Sequence, residues 1–110
     1  MLKNDKYILI GREVVEEPSL TDWGRWMQEA DRRVAKTKLE DDTVISTVFL
    51  GLDHSFGEGP PLLFETMVFL SDSDGGEDYM RRYETYEQAE AGHEKAVKIY
   101  VDKISEDESS

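Results

Sequence analysis

The chain predicts an α+β fold, an antiparallel β-sheet with two helices packed on it in the order ββαβββα. Three observations carry this expectation. Short runs rich in β-branched and aromatic residues are joined by connections too brief for parallel crossovers. Two segments open with a helix-capping signature and continue with an apolar stripe at helical spacing. Residues 46–69, STVFLGLDHSFGEGPPLLFETMVF, set two strongly apolar runs on either side of a Gly/Pro loop, which marks the centre of the sheet.

Tyr7–Ile10 is β-rich, Gly11-Arg12 supplies a turn and Glu13–Glu16 returns. A hairpin about Gly11 follows, because glycine takes the positive φ such turns need. Pro18 breaks the chain, and Ser19-Leu20-Thr21-Asp22 resembles a capping box. Leu20, Trp23, Met27, Ala30 and Val34 recur at helical spacing with Trp26 beside them. They predict a helix over 20–32 that buries both tryptophans at least partly. Residues 34–39 and 43–50 read as strands about a turn at Asp41-Asp42, and 62–70 as a central strand that is apolar on both faces. Tyr79–Tyr83 adds a short edge strand guarded by Arg81 and Arg82. Thr85 with Gln88 is the second capping box, and Tyr86, Ala89, His93, Ala96, Tyr100 and Ile104 form the buried stripe of the last helix. Gly92 in mid-helix costs roughly 1 kcal/mol against alanine, so a close backbone approach is expected there. Residues 1–104 then make one domain, and 105–110 a disordered acidic tail.

The 25 acidic residues against 13 basic give a formal net charge of −12. Such a field repels nucleic-acid backbones and anionic lipid and favours a basic partner, so no direct nucleic-acid binding is expected. There is no cysteine, which excludes a disulfide framework, a thiolate zinc site and a cysteine nucleophile. The apolar run before Gly11 is too short for a signal peptide or a membrane span. A soluble cytoplasmic protein without membrane association is expected. No phosphate-binding Gly-Lys-Ser/Thr, no Ser/His/Asp order and no HExxH occurs, and no cofactor is expected.

Four groups carry candidate chemistry. Pairing 43–50 with 62–70 as a hairpin is expected to set Thr47 near Glu65. That places Glu65 on one face with Ile45, Phe49, Leu63, Met67 and Phe69. A carboxylate in such a row is either an acid or base candidate or the partner of an arginine. In the loop, Asp53-His54 suits an acid–base pair or half of a metal site, or an aspartate that only shapes the loop. No third ligand stands at useful spacing, so no metal is assigned. His54 and Phe56 can instead project as partner contacts. His93 is a core histidine, or a ligand if it converges with Asp53, His54 or Glu65. Finally, Glu87, Glu90 and Glu94 form an acidic helix face, either simply solvated or a surface for a basic protein.

The blocks YILIGREVV, LTDWGRWMQEADRRVAKT, STVFLGLDHSFGEGPPLLFETMVF and RYETYEQAEAGH, in that order across 7–93, resemble a widespread family of small phage and prophage proteins. Asp53, His54, Gly57, Pro60, Pro61, Glu65, Thr66 and His93 stand at positions that pattern shares. Ile10-Gly11 replaces its Asp-Gly, Gly24 an alanine, and Leu70-Ser71 a Gly-Gly. The resemblance implies a virus-encoded accessory protein working in the bacterial cytoplasm and carries no assigned activity. The expected function is thus non-enzymatic. The protein would bind and modulate a bacterial host protein with a basic surface, in host takeover or anti-defence. Its contacts would be Asp53, His54 and Phe56 of the 51–61 loop or Glu87, Glu90 and Glu94. Two alternatives stay open: a nucleotide- or metal-binding or hydrolytic site at Asp53, His54 and Glu65 with His93, and a homo-oligomeric assembly component, a homodimer included.

Overall fold

The computed structural model describes residues 4–53, 59–71 and 77–108, which leaves His54, Phe56 and the last two residues of the expected tail outside it. Its elements are β1 (Tyr7–Ile10), β2 (Glu13–Glu16), α1 (Leu20–Glu29), β3 (Arg33–Lys38), β4 (Val44–Phe49), β5 (Phe64–Phe69), β6 (Tyr79–Tyr83) and α2 (Tyr86–Glu108). This is the expected α+β class and order, with the Tyr79–Tyr83 edge strand completing it. The strands form two antiparallel sheets, β1-β2 and β3-β4-β5-β6.

The β1-β2 hairpin turns at Gly11, whose φ is 65°, and pairs from Tyr7 opposite Glu16 to Ile10 opposite Glu13. It docks on the end of the larger sheet, where the Tyr7 amide donates to the Gly51 carbonyl at 2.9 Å. Helix α1 starts where Ser19 Oγ accepts the Asp22 amide at 3.2 Å. It ends earlier than the apolar spacing suggests, with Ala30 already extended. The Arg32 carbonyl accepts the Phe49 amide at 2.8 Å and Asp31 Oδ1 accepts the Arg33 amide at 3.1 Å, so strand pairing captures the chain before another helical turn can form. Val34 therefore enters the core from a strand rather than from the helix. Trp26 sits edge-on to Phe49 with ring centroids 5.6 Å apart, and Trp23 Nε1 donates to the Gly51 carbonyl at 3.0 Å.

In the large sheet Thr47 lies opposite Thr66 and Val48 opposite Glu65, one residue from the expected pairing. A one-residue shift exchanges the faces of a strand. Glu65 consequently does not share a face with Ile45 and Phe49. Ile45, Thr47, Phe49, Phe64, Thr66 and Val68 are buried beneath α2, while Glu65 lies with Val48, Met67 and Phe69 on the reverse face. The observed register is the one that buries Phe64 and Val68 under the helix and keeps the carboxylate out of that core.

Helix α2 opens with a reciprocal cap. The Gln88 amide donates to Thr85 Oγ1 at 3.1 Å, and the Glu84 and Thr85 amides donate to Gln88 Oε1 at 3.0 and 3.3 Å. Ala89, His93, Ala96 and Tyr100 are buried against the sheet as the spacing predicts. The helix runs to Glu108, past the boundary expected at 104, because propagating an existing helix through polar residues is far easier than nucleating one. The approach expected at Gly92 is present: the Tyr83 ring packs so closely that a Cβ there would overlap it. Among the described residues, no helix is long and apolar enough to cross a membrane.

Candidate functional site

The buried polar centre of the molecule is a chain of side chains under α2. Alternation along the strands brings Thr37 of β3, Thr47 of β4 and Thr66 of β5 to the helix-facing side, and α2 lowers His93 between them. His93 Nε2 lies 2.9 Å from Thr37 Oγ1 and Nδ1 lies 2.8 Å from Thr47 Oγ1; Thr47 Oγ1 lies 2.5 Å from Thr66 Oγ1. Either neutral tautomer satisfies both ring nitrogens, since each hydroxyl can donate or accept. His93 is only 5% exposed, and burial pushes its pKa below the usual histidine range, with Glu94 acting weakly the other way. With both nitrogens engaged, the ring offers neither a lone pair to a metal nor a proton to a substrate.

Next to this chain, the Tyr83 hydroxyl is buried without a hydrogen-bond partner among the described residues. Its pKa is raised by burial. The Thr66 hydroxyl, close by but outside hydrogen-bonding geometry, works in the opposite direction.

The other candidate groups lie apart. Glu65 is 7% exposed on the reverse face, where its Oε2 receives Arg82 Nε–H at 2.9 Å across the β5-β6 pair. Of its two expected readings, the arginine pair is the one present. Asp53 Oδ1 accepts the Leu62 amide at 3.0 Å, and the Asp53 amide donates to the Asp5 carbonyl at 3.0 Å. These bonds close the base of the loop and hold it to the N-terminal segment. Thus His93 and Glu65 occupy opposite faces of the sheet, and Asp53 is engaged at the loop base. Among the described residues no three His, Cys, Asp or Glu side chains gather as a metal site.

The acidic helix face is also only partly free. Glu87 and Glu94 are exposed, but Glu90 accepts Arg12 at 3.0 Å, and the same guanidinium lies 5.0 Å above the Tyr86 ring. This pair, which the sequence does not reveal because the residues are far apart in the chain, ties the hairpin turn to α2. Beside it opens a cleft of about 520 Å³ lined by Ile10, Val14, Tyr86, Glu13, Glu84 and Glu87 together with Arg12 and Thr85. Ile10 stands 62% exposed at its edge. A site with apolar walls and a surplus of carboxylates can take a side chain that is apolar along its stem and cationic at its tip. Comparison with protein-family models, with curated proteins and with solved structures gives no match to this chain.

Proposed function

We propose that the protein acts by binding rather than by catalysis, as a phage-encoded accessory factor that holds a basic segment of a bacterial host protein. The observation that supports this reading is the cleft between the β1-β2 turn and the start of α2. There Glu13, Glu84 and Glu87 surround the apolar surface of Ile10, Val14 and Tyr86. An apolar floor contributes area and the acidic rim contributes orientation and association rate, the combination typical of protein recognition. Glu94 extends the acidic surface along the same helix. Glu90 serves the cleft indirectly, by fixing Arg12 against Tyr86.

The test is capture from bacterial lysate by the whole chain at low and high salt, repeated with Glu13→Lys/Glu84→Lys/Glu87→Lys. A basic protein retained by the wild type at low salt, and lost by at least about tenfold in the charge-reversed variant, is the expected result. Equal retention by both proteins would refute the cleft as the binding surface.

A further inference from the structure

The large sheet has a reverse face on which α2 does not pack, bordered by α1 where Met27 and Gln28 line a hollow with Arg33 and Val48. Helix α2 covers one side only, and the register sets Val44, Ser46 and Val48 of β4, Met67 and Phe69 of β5, and Met80 of β6 on the other. Met80 is 45% exposed, and Val44, Val48, Met67 and Phe69 are half-buried. On the β3 side the same pairing aligns Arg33, Lys36 and Lys38 with Val48, Ser46 and Val44. Arg33 and Lys36 have no ion-pair partner among the described residues, and Lys38 pairs only with exposed Asp42 at 3.4 Å. On the β6 side Arg82 holds Glu65. A protein of net charge −12 therefore carries one sheet face that is apolar at its centre and cationic along one border.

We infer that this face is a second docking surface, and that its occupant is an acidic amphipathic helix of a partner protein. Charge decides the sign: carboxylates at the border of such a helix meet Arg33, Lys36 and Lys38, and its apolar stripe meets Val44, Val48, Met67, Phe69 and Met80. Charge also decides against a second copy of this chain, because two such faces would bring cation against cation without a free carboxylate between them. Three strands of six residues and one of five, about 4.8 Å apart and rising about 3.4 Å per residue, present roughly 400 Å², which suits a small, transient contact. A single helix about 10 Å wide fits the apolar strip and leaves both borders in reach of its flanks. The acidic remainder of the molecule repels the same helix everywhere else, which confines it to this face.

The experiment titrates the isotopically labelled full chain with a synthetic helical peptide carrying leucine on one side and glutamate on the other. The lysine version of the same peptide is the control. At low salt the glutamate peptide should shift the amide signals of Lys36, Ser46, Met67, Phe69 and Met80. Its affinity should fall about tenfold or more in Arg33→Glu/Lys36→Glu and in Met80→Gln, both changes at exposed side chains that leave the core untouched. The lysine peptide should leave these signals in place. Shifts confined to other surfaces, an affinity indifferent to Arg33→Glu/Lys36→Glu, absence of binding at low salt, or sedimentation showing this face closed by a second copy would each overturn the inference.

Discussion

His93 shows how a residue that looks reactive in the sequence becomes structural in the fold. Truncating it to alanine removes a buried ring, leaves the part-buried Thr37 hydroxyl without this partner and leaves buried Thr47 with Thr66 alone, so His93→Ala should cost roughly 3 kcal/mol in urea unfolding. Its titration gives a second, independent check. The folded-state pKa lies below the unfolded value of about 6.5, so below that pH the unfolded chain binds the extra proton. The contribution of His93 is therefore fully present above about pH 6.5 and is lost as the pH falls from there toward the folded-state pKa. A series of urea midpoints should show this decline in the wild type and its loss in His93→Gln. The position of His93 on a buried stripe is legible from spacing alone. Its partners Thr37 and Thr47, and Thr66 beyond Thr47, are not, because which threonines face inward depends on a strand register that periodicity leaves ambiguous by one residue. Glu65 illustrates the same limit: the one-residue difference moves it away from the helix-facing core and into contact with Arg82.

At the scale of elements, Gly92 and Tyr83 form one packing unit. Alanine is the better helix former by roughly 1 kcal/mol, yet Gly92→Ala would drive a methyl group into the Tyr83 ring. Overpacking of this kind costs about 2 kcal/mol and outweighs the propensity gain. Thermal unfolding should accordingly show Gly92→Ala destabilised, and the sign should reverse when the substitution is made in a Tyr83→Ala background, where the obstacle is gone. The elements themselves were mostly readable: Ser19 and Thr85 act as caps, Gly11 as a turn, and the apolar stripe of α2 faces the sheet. The end of α1 was not readable. It is set by the Phe49 amide donating to the Arg32 carbonyl, and tertiary pairing of that kind overrides local spacing. For the same reason the sequence does not disclose that β1-β2 stands as its own sheet.

Across the whole molecule, charge is distributed against the average. The edge strands β3 and β6 hold five of the 13 basic residues and no acidic one, whereas the excess of carboxylate lies elsewhere. Mutual repulsion within a chain of net charge −12 opposes compaction, and only four ion pairs join described residues, each but Arg82–Glu65 having a largely exposed member. Raising sodium chloride from low to physiological strength should therefore raise the melting temperature; a fall would mean that the pairs outweigh the repulsion.

The cationic edges also bear on how the chain survives its own synthesis. Strands β3 to β6 pair only with their neighbours in sequence, so this sheet can assemble as soon as they emerge. Ala89, His93, Ala96 and Tyr100 come afterwards, and until they arrive the side that will be buried is wet and the nascent sheet is open on both faces. A polysome holds many such unfinished copies close together, where bare strand edges would join one another. Lysine and arginine along both edges set like charge against like at that moment, and so keep each unfinished sheet waiting for its own helix.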